Sequence, residues 1–244
     1  MSDNTQSNPE QLKQRFNDVQ QRIQQATSAC QRSAGSVELL AVSKTRSSEE
    51  VRALASLGQR MFGENYLQEA IGKIDQLTDL NLSWHFIGRI QSNKTRQIAE
   101  HFDWVHSVAS LKHATRLSQQ RPEQMKPLNI CLQVNTSGEM SKDGHTAEEL
   151  AQLLPAYQKL ERINIRGLMT IPAPVAETQD PSQSLKRLHR LREQLKSEDN
   201  PLNTLSMGMS NDLEEAICEG STIVRIGTAL FGPRNYREPR PDVD

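Results

Sequence analysis

Short apolar runs and amphipathic helical stretches alternate eight times along this chain, and that rhythm limits the folds open to it more than any other feature. The runs are VELLAVSK, RMFGEN, LSWHFIG, WVHSV, LNICLQVN, INIRGLMTI, TLSMGMS and TIVRIGTALFG. Between them stand helical patterns such as SSEEVRALASLG, YLQEAIGKIDQL, NKTRQIAEHF, TAEELAQLLPAYQKL, SLKRLHRLREQLK and SNDLEEAICEG. Such alternation predicts parallel strands with right-handed crossovers, because antiparallel hairpins would need only short turns. Eight units can close into a (β/α)8 barrel or lie open as a doubly wound sheet. Closure is expected here, since no G-x-G-x-x-G follows the first run and PRNYREPRPDVD, rather than a helix, follows the last. Upstream, Leu12, Phe16, Val19 and Ile23 recur at helical spacing, so Pro9 to Cys30 should form a helix with one apolar side. That helix is placed to cover the surface a missing final helix would leave bare. A length of 244 residues suits a single α/β barrel domain. The expected division is a flexible lead over 1–8, the barrel over 9–236 and a fraying, Pro-rich charged tail over 237–244.

Charge excludes several partners. With 29 Lys and Arg against 30 Asp and Glu, the net charge of −1 supplies no global field toward nucleic acid or an anionic membrane, so any bound anion has to be held locally. No stretch approaches the length of an apolar membrane span, and MSDNTQSNPE has neither the basic nor the apolar part of a signal peptide. A cytoplasmic location follows as the expectation. Cys30, Cys131 and Cys218 are far apart, form no metal-ligand spacing and read as buried small residues in a reducing compartment; no metal site is expected.

In parallel barrels the chemistry gathers at the C-terminal ends of the strands, so those ends can be read as a ring: Lys44, Glu64 with Asn65, His85 with Gly88, His106, Asn135, Met169 with Thr170, Ser210, and Arg225 with Gly227 and Thr228. A lysine at a barrel mouth is hydrated, ion-paired or chemically used. Lys44 therefore either snorkels from the rim or, desolvated, presents a neutral amine able to condense with an aldehyde. Ser210 opens SNDLEEAICEG, where Asn211 and Glu214 also fit a capping box; the reading is an anion site at a helix start, or ordinary capping. Gly227 lets a ligand approach the backbone and Thr228 adds a hydroxyl, on the strand beside Ser210, where barrels of this kind bind phosphate. Arg225 alternates with Val224 and Ile226, so it should point into the barrel, toward either an acidic partner or a ligand. His85 and His106 lack metal-like spacing and read as core or rim histidines bonded to backbone. Asn93 and Lys94 should start a helix, and SLKRLHRLREQLK should be a solvated amphipathic one.

These residues stand in a recognisable order of contexts. AVSKTR, FGENYLQEA, WHFIGRIQSNK, LQVNTSGEMSKDG, RGLMTIP, LSMGMSND and TIVRIGTALFGPRNY run in sequence over residues 37 to 236, and together they resemble the YggS/PROSC family of pyridoxal phosphate homeostasis proteins. The resemblance implies a fold-type III barrel, similar to the N-terminal domain of alanine racemase, with pyridoxal 5′-phosphate joined as a Schiff base to Lys44. It further implies that Ser210, Gly227 and Thr228 hold the phosphate, that Arg225 faces the pyridine nitrogen and that Asn65 lies beside the ring. No residue is expected to act as a catalytic group.

Arginine is a very weak acid, so at the ring nitrogen it donates a hydrogen bond without transferring its proton, which leaves the ring a weaker electron sink. No segment comparable to the second domain of alanine racemase follows residue 232, so an open site is expected, one that exchanges ligand with water and protects a carbanion poorly. The leading expectation is a non-enzymatic carrier that stores the cofactor, limits its free aldehyde and supplies apoenzymes, and that is a monomer. Two alternatives stand beside it: a racemase-like enzyme acting on amino acids, and a barrel in which Lys44 condenses with a sugar or aldehyde substrate.

Overall fold

The computed structural model describes residues 9–137, 143–172 and 182–233, so the expected lead over 1–8 and tail over 237–244 lie outside the described residues. Eight parallel strands follow the eight apolar runs: β1 (Glu38–Val42), β2 (Met61–Glu64), β3 (Ser83–Phe86), β4 (Trp104–Val108), β5 (Leu128–Gln133), β6 (Ile163–Met169), β7 (Thr204–Ser206) and β8 (Ile223–Ile226). Each pairs with the next, and β8 pairs with β1 from Glu38↔Ile223 to Ala41↔Ile226, closing the barrel. The helices are α1 (Pro9–Ala29), α2 (Ser48–Ser56), α3 (Leu67–Gln76), α4 (Thr95–His101), α5 (Leu111–Gln120), α6 (Ala147–Tyr157), α7 (Ser182–Leu195), α8 (Leu213–Cys218) and α9 (Thr228–Phe231). Their starts are written locally: Ser47 with Glu50 and Thr146 with Glu149 form reciprocal capping boxes for α2 and α6, and Ser110 caps α5.

Two cores result from the alternation of side chains across each strand. Between sheet and helices lies an apolar layer in which Leu39, Ala41, Phe62, Val105, Ile130 and Val224 meet Leu54, Ile98, Leu117, Leu188 and Ile217. Each such large side chain, fully buried, contributes roughly 1.5–3 kcal/mol. The inside of the barrel is different: buried residues there include Leu40, His85, His106, Cys131, Met169, Ser206 and Arg225.

Helix α1 buries Leu12, Phe16, Val19 and Ile23 and packs on α8, α9 and α2, filling the place of a long final helix as its apolar stripe predicts. Arg15 donates to the carbonyl of Phe231, and Arg32, just past the helix, to those of Ile217 and Ser221, so the helix and the segment after it are held by polar bonds as well. Two expectations need correction. TALF, read as the end of the eighth strand, is the single helical turn α9, because Gly227 lets the chain bend straight after Ile226. Cys30 and Cys218 are not buried free thiols: packing of α1 along α8 brings them together as a disulfide with Cα atoms 5.2 Å apart, and only Cys131 remains a buried free thiol. Among the described residues no helix is long and apolar enough to cross a membrane, and no cluster of His, Cys, Asp and Glu could hold a metal ion.

Candidate functional site

Register fixes where the chain reaches Lys44. Leu40 is the partner of Arg225 across the β1–β8 seam, and paired residues in a parallel sheet face the same side. Arg225 is inside the barrel, so Leu40 and Val42 face inward, and β1 ends at the C-terminal mouth two residues before Lys44. Lys44 is half-buried there, in the turn between β1 and α2. Gly227 lies beside the end of β1: a Cβ added there would sit 3.4 Å from the Cβ and carbonyl oxygen of Val42. Asn65, directly after β2, is half-buried, and its side-chain oxygen Oδ1 is enclosed with no hydrogen-bond partner. Gly88 allows that packing, since a Cβ there would collide with the Asn65 carbonyl at 2.1 Å.

The guanidinium of Arg225 is buried and donates to the carbonyl of Ser206 (2.5 Å), the hydroxyl of Ser206 (2.8 Å) and the carbonyl of Thr170 (2.8 Å). Burial pushes its pKa down to about 10, which still leaves it a cation at neutral pH. The acidic contact partner considered from the sequence is absent among the described residues; neutral oxygens hold it instead. From Ser206 a chain of bonds crosses the barrel: to His106 Nδ1 (2.7 Å), from His106 Nε2 to His85 Nδ1 (2.9 Å), and from His85 Nε2 to Ser83 Oγ (3.0 Å). Burial lowers the pKa of both histidines, that of His85 to about 3, so both are neutral. Because a guanidinium only donates, one direction uses every hydrogen: Arg225 to Ser206, Ser206 to His106, His106 to His85, His85 to Ser83. The two histidines are core residues as expected, but they bond to each other and to serines rather than to backbone, since the strand backbone is already committed to the sheet.

On the neighbouring strand end the capping expectation fails. Ser210 and Asn211 stand in a turn before α8, whose start is Leu213, and the flanking Asp212 makes no side-chain cap. Asp212 instead accepts the N–H of Met209 (2.6 Å). Glu214 is drawn outward by Arg22 of α1 (2.7 and 2.9 Å), which also donates to the Ser210 carbonyl (3.1 Å). Ser210 is half-buried and Thr228 exposed, each just past the C-terminal end of its strand.

Comparison with known proteins then decides the family. The alanine racemase N-terminal domain model matches residues 16–235. The pyridoxal phosphate homeostasis protein of Pseudomonas aeruginosa is 57% identical over 221 residues, spanning 91% of this chain and 95% of that one; its counterpart in Escherichia coli K12 is 46% identical, spanning 89% and 94%. The chain belongs to the pyridoxal phosphate homeostasis protein family. Among solved structures, PipY of Synechococcus elongatus PCC7942, determined with pyridoxal phosphate bound, superimposes with TM-score 0.78 at 37% identity, covering 91% of this chain and all of that one. Alanine racemase of Clostridium difficile shares the fold with TM-score 0.73 at 15% identity, covering 93% of this chain and 57% of the racemase.

In this family member the candidate residues sit on four strands that barrel closure makes consecutive. Ser210 follows β7, Arg225 lies in β8 with Gly227 and Thr228 after it, Lys44 follows β1 and Asn65 follows β2. An open doubly wound sheet would have put β1 in its interior and β8 away from it at an edge. Asn135 follows β5, and Thr170 follows β6, where its Oγ1 lies 2.8 Å from Thr136 Oγ1 while its carbonyl accepts from Arg225. Sequence reasoning missed Ser206 as the partner that orients Arg225. The strand ends at Ser206 and Gly208 turns the chain with φ +97°, so no simple alternation in LSMGMS marked Ser206.

Proposed function

We propose that this chain binds pyridoxal 5′-phosphate in the C-terminal mouth of its barrel, linked to Lys44, and that its work is to hold and release the cofactor rather than to turn over amino acids. The observation that carries this is the single arc formed by a half-buried lysine at the strand end, a buried cation and two hydroxyl-bearing strand ends over β7, β8, β1 and β2. The residues fit the group: Asn65 Oδ1 is an enclosed acceptor without a donor, and Gly227 leaves backbone open beside Val42. Family membership and the cofactor named for PipY support the same reading.

When bound, pyridoxal phosphate supplies an aldehyde that condenses with an amine and a ring that draws electrons from the attached group. Lys44 supplies the amine. Ser210, Gly227 and Thr228 hold phosphate oxygens through hydroxyl and backbone donors, an interaction that needs only local charge complementarity in a chain of net charge −1. Arg225, fixed by Ser206 and Thr170, would present its remaining N–H capacity to the ring nitrogen and keep its proton. Asn65 would lie beside the ring. A cation in that place disfavours a protonated ring, and this supports binding over carbanion chemistry. Supply of the cofactor to apoenzymes in the cytoplasm, by a monomeric barrel over residues 9–236, completes the proposal.

The test is the absorption spectrum of the purified protein titrated with pyridoxal phosphate, followed by borohydride reduction and peptide mapping. A violet band that disappears in Lys44→Ala, with the pyridoxyl group on Lys44, is the expected result; a label mainly on Lys94 or Lys142 would move the site. Incubation with L- and D-amino acids in deuterated water should give no Lys44-dependent α-proton exchange at enzyme-like rates of about 1 per second or more. Such exchange would make the protein a racemase-like enzyme instead.

A further inference from the structure

Behind the end of β1 and the turn that carries Lys44, on the helix side of the sheet, lies a second buried cation. Lys73 of α3 is only 4% exposed and donates to Glu64 Oε1 (2.8 Å), to Glu69 Oε1 (2.6 Å) and to the backbone carbonyl of Ser43 (2.7 Å). The Ser43 hydroxyl donates to the same Glu64 oxygen (2.6 Å), and Glu69 Oε1 also accepts the backbone N–H of Thr45 (2.6 Å). These bonds end on Ser43 and Thr45, the two residues on either side of Lys44. Thr45 has φ +63°, the left-handed region that a β-branched residue avoids unless its surroundings impose it.

The cluster does not share the barrel mouth. Gly63 faces inward, where a Cβ would touch Leu40, so Glu64, the next residue, faces outward toward α3. Burial raises the pKa of Glu64 against the opposing pull of Lys73, and its second oxygen has no partner. A buried ion pair is poor value as a stabiliser, because desolvation offsets most of the attraction and apolar side chains of the same volume do as well. What it does here that apolar side chains cannot is bind a specific carbonyl and a specific N–H.

We propose that Glu64, Lys73 and Glu69 are positioning residues for Lys44, holding the Ser43 carbonyl and the Thr45 N–H from behind the sheet so that the turn delivers the Lys44 amine into the mouth. The inference rests on the assignment of Lys44 as the residue that takes up the cofactor. The step it serves is the attack of the neutral Lys44 amine on the aldehyde carbon: a carbon–nitrogen double bond forms, and the carbonyl oxygen leaves as water with the two amine hydrogens. Positioning of this kind acts on that step and leaves the grip on phosphate and ring untouched.

The experiment compares two probes, pyridoxal phosphate and 4′-deoxypyridoxine 5′-phosphate, which has the ring and phosphate but no aldehyde. Stopped-flow growth of the violet band reads the covalent step; calorimetry with the deoxy compound reads the grip alone. Glu69→Ala should slow band growth at saturating pyridoxal phosphate by about ten-fold to a hundred-fold, the scale of a misplaced reacting group. Its affinity for the deoxy compound should be that of the wild type. Glu69→Gln, whose amide oxygen can still accept the Thr45 N–H, should restore most of the rate. Lys73→Met combined with Glu64→Gln removes the central pair together and should show the same split; if it does not fold, the Glu69 variants decide the matter by themselves. Equal weakening of both probes in Glu69→Ala, or band growth at the wild-type rate, overturns the positioning role. A wild-type protein that binds the deoxy compound but never forms the band would overturn the assignment of Lys44 instead.

Discussion

Two cations are buried on opposite faces of one sheet, and they are satisfied in opposite ways. Lys73, on the helix side, sits between two carboxylates, so its charge is balanced within the protein. Arg225, inside the barrel, bonds to two carbonyls and a hydroxyl, and no carboxylate touches it among the described residues. A cation balanced by acids has little left to offer a ligand, whereas one held by neutral oxygens keeps its charge and spare N–H groups for whatever enters the mouth. The difference separates a group that shapes the site from one that meets its occupant.

The largest effect expected from breaking this contrast is on stability. Lys73→Met leaves Glu64 buried without its counter-charge and should cost about 3–5 kcal/mol in urea unfolding. Arg225→Gln retains a donor for the strand carbonyls and should cost less, about 1–3 kcal/mol. Lys73→Met with Glu64→Gln should recover much of the first loss. If Arg225→Gln proved the more damaging in the cofactor-free protein, the interior cation would be a structural pillar and the distinction would collapse.

Next in size is the grip on phosphate. Ser210→Ala and Thr228→Ala each remove a hydrogen bond to a charged group, about 1.5–3 kcal/mol, so each should weaken pyridoxal phosphate binding by roughly ten-fold to a hundred-fold while pyridoxal itself is little affected. Equal losses for both compounds in calorimetry would place the phosphate elsewhere.

What the sequence made legible follows the same divide. The apolar layer and the closed barrel could be read from strand–helix alternation, because burial of apolar surface is a property of pattern. So could the inward direction of Arg225, from its alternation with Val224 and Ile226. What could not be read was pairing at a distance. Glu214 has capping-box spacing from Asn211, yet Arg22, 192 residues away, takes it. Cys30 and Cys218 meet only because α1 lies along α8, and Ser206 meets Arg225 only because β7 and β8 are neighbours. Lys73 lies within the helical pattern YLQEAIGKIDQL, and nothing local there shows that its amine reaches the residues around Lys44.

Acid should act oppositely on the two faces. The neutral interior histidines have pKa values lowered from about 6.5, so the unfolded chain takes up protons first as pH falls below 6.5, and stability declines from there toward the folded value of about 3 for His85. Glu64 has its pKa raised, so the folded chain binds the proton more readily, and acidification through that raised value toward 4.5 adds stability. Two histidines against one carboxylate predict a net loss between pH 6.5 and 4.5, with a slope of at most about 1.4 kcal/mol per pH unit for each histidine. His106→Gln should flatten the curve of urea midpoint against pH, and Glu64→Gln should steepen it. A His106→Gln curve as steep as the wild type would show that the interior chain is not what acid attacks.

The smallest effect concerns a third cation, one that is neither buried nor inside. Arg22 pairs with Glu214 at a site where the two side chains keep 35% and 51% of their exposure, and such a pair contributes about 0–1 kcal/mol. Arg22→Ala should therefore barely move the unfolding midpoint. Its second bond, to the Ser210 carbonyl, links α1 to the strand end that is proposed to hold phosphate. Loss of that bond should loosen the turn without removing any group from the ligand, so pyridoxal phosphate binding should fall by a few-fold, less than in Ser210→Ala. The difference from wild type should shrink as salt rises to about 1 M, where exposed charges are screened within roughly 3 Å. Calorimetric titrations of Arg22→Ala and Ser210→Ala at low and high salt make the comparison. A loss in Arg22→Ala as large as in Ser210→Ala, persisting at high salt, would mean that Arg22 itself reaches the phosphate, and that α1 supplies part of the site rather than a brace for it.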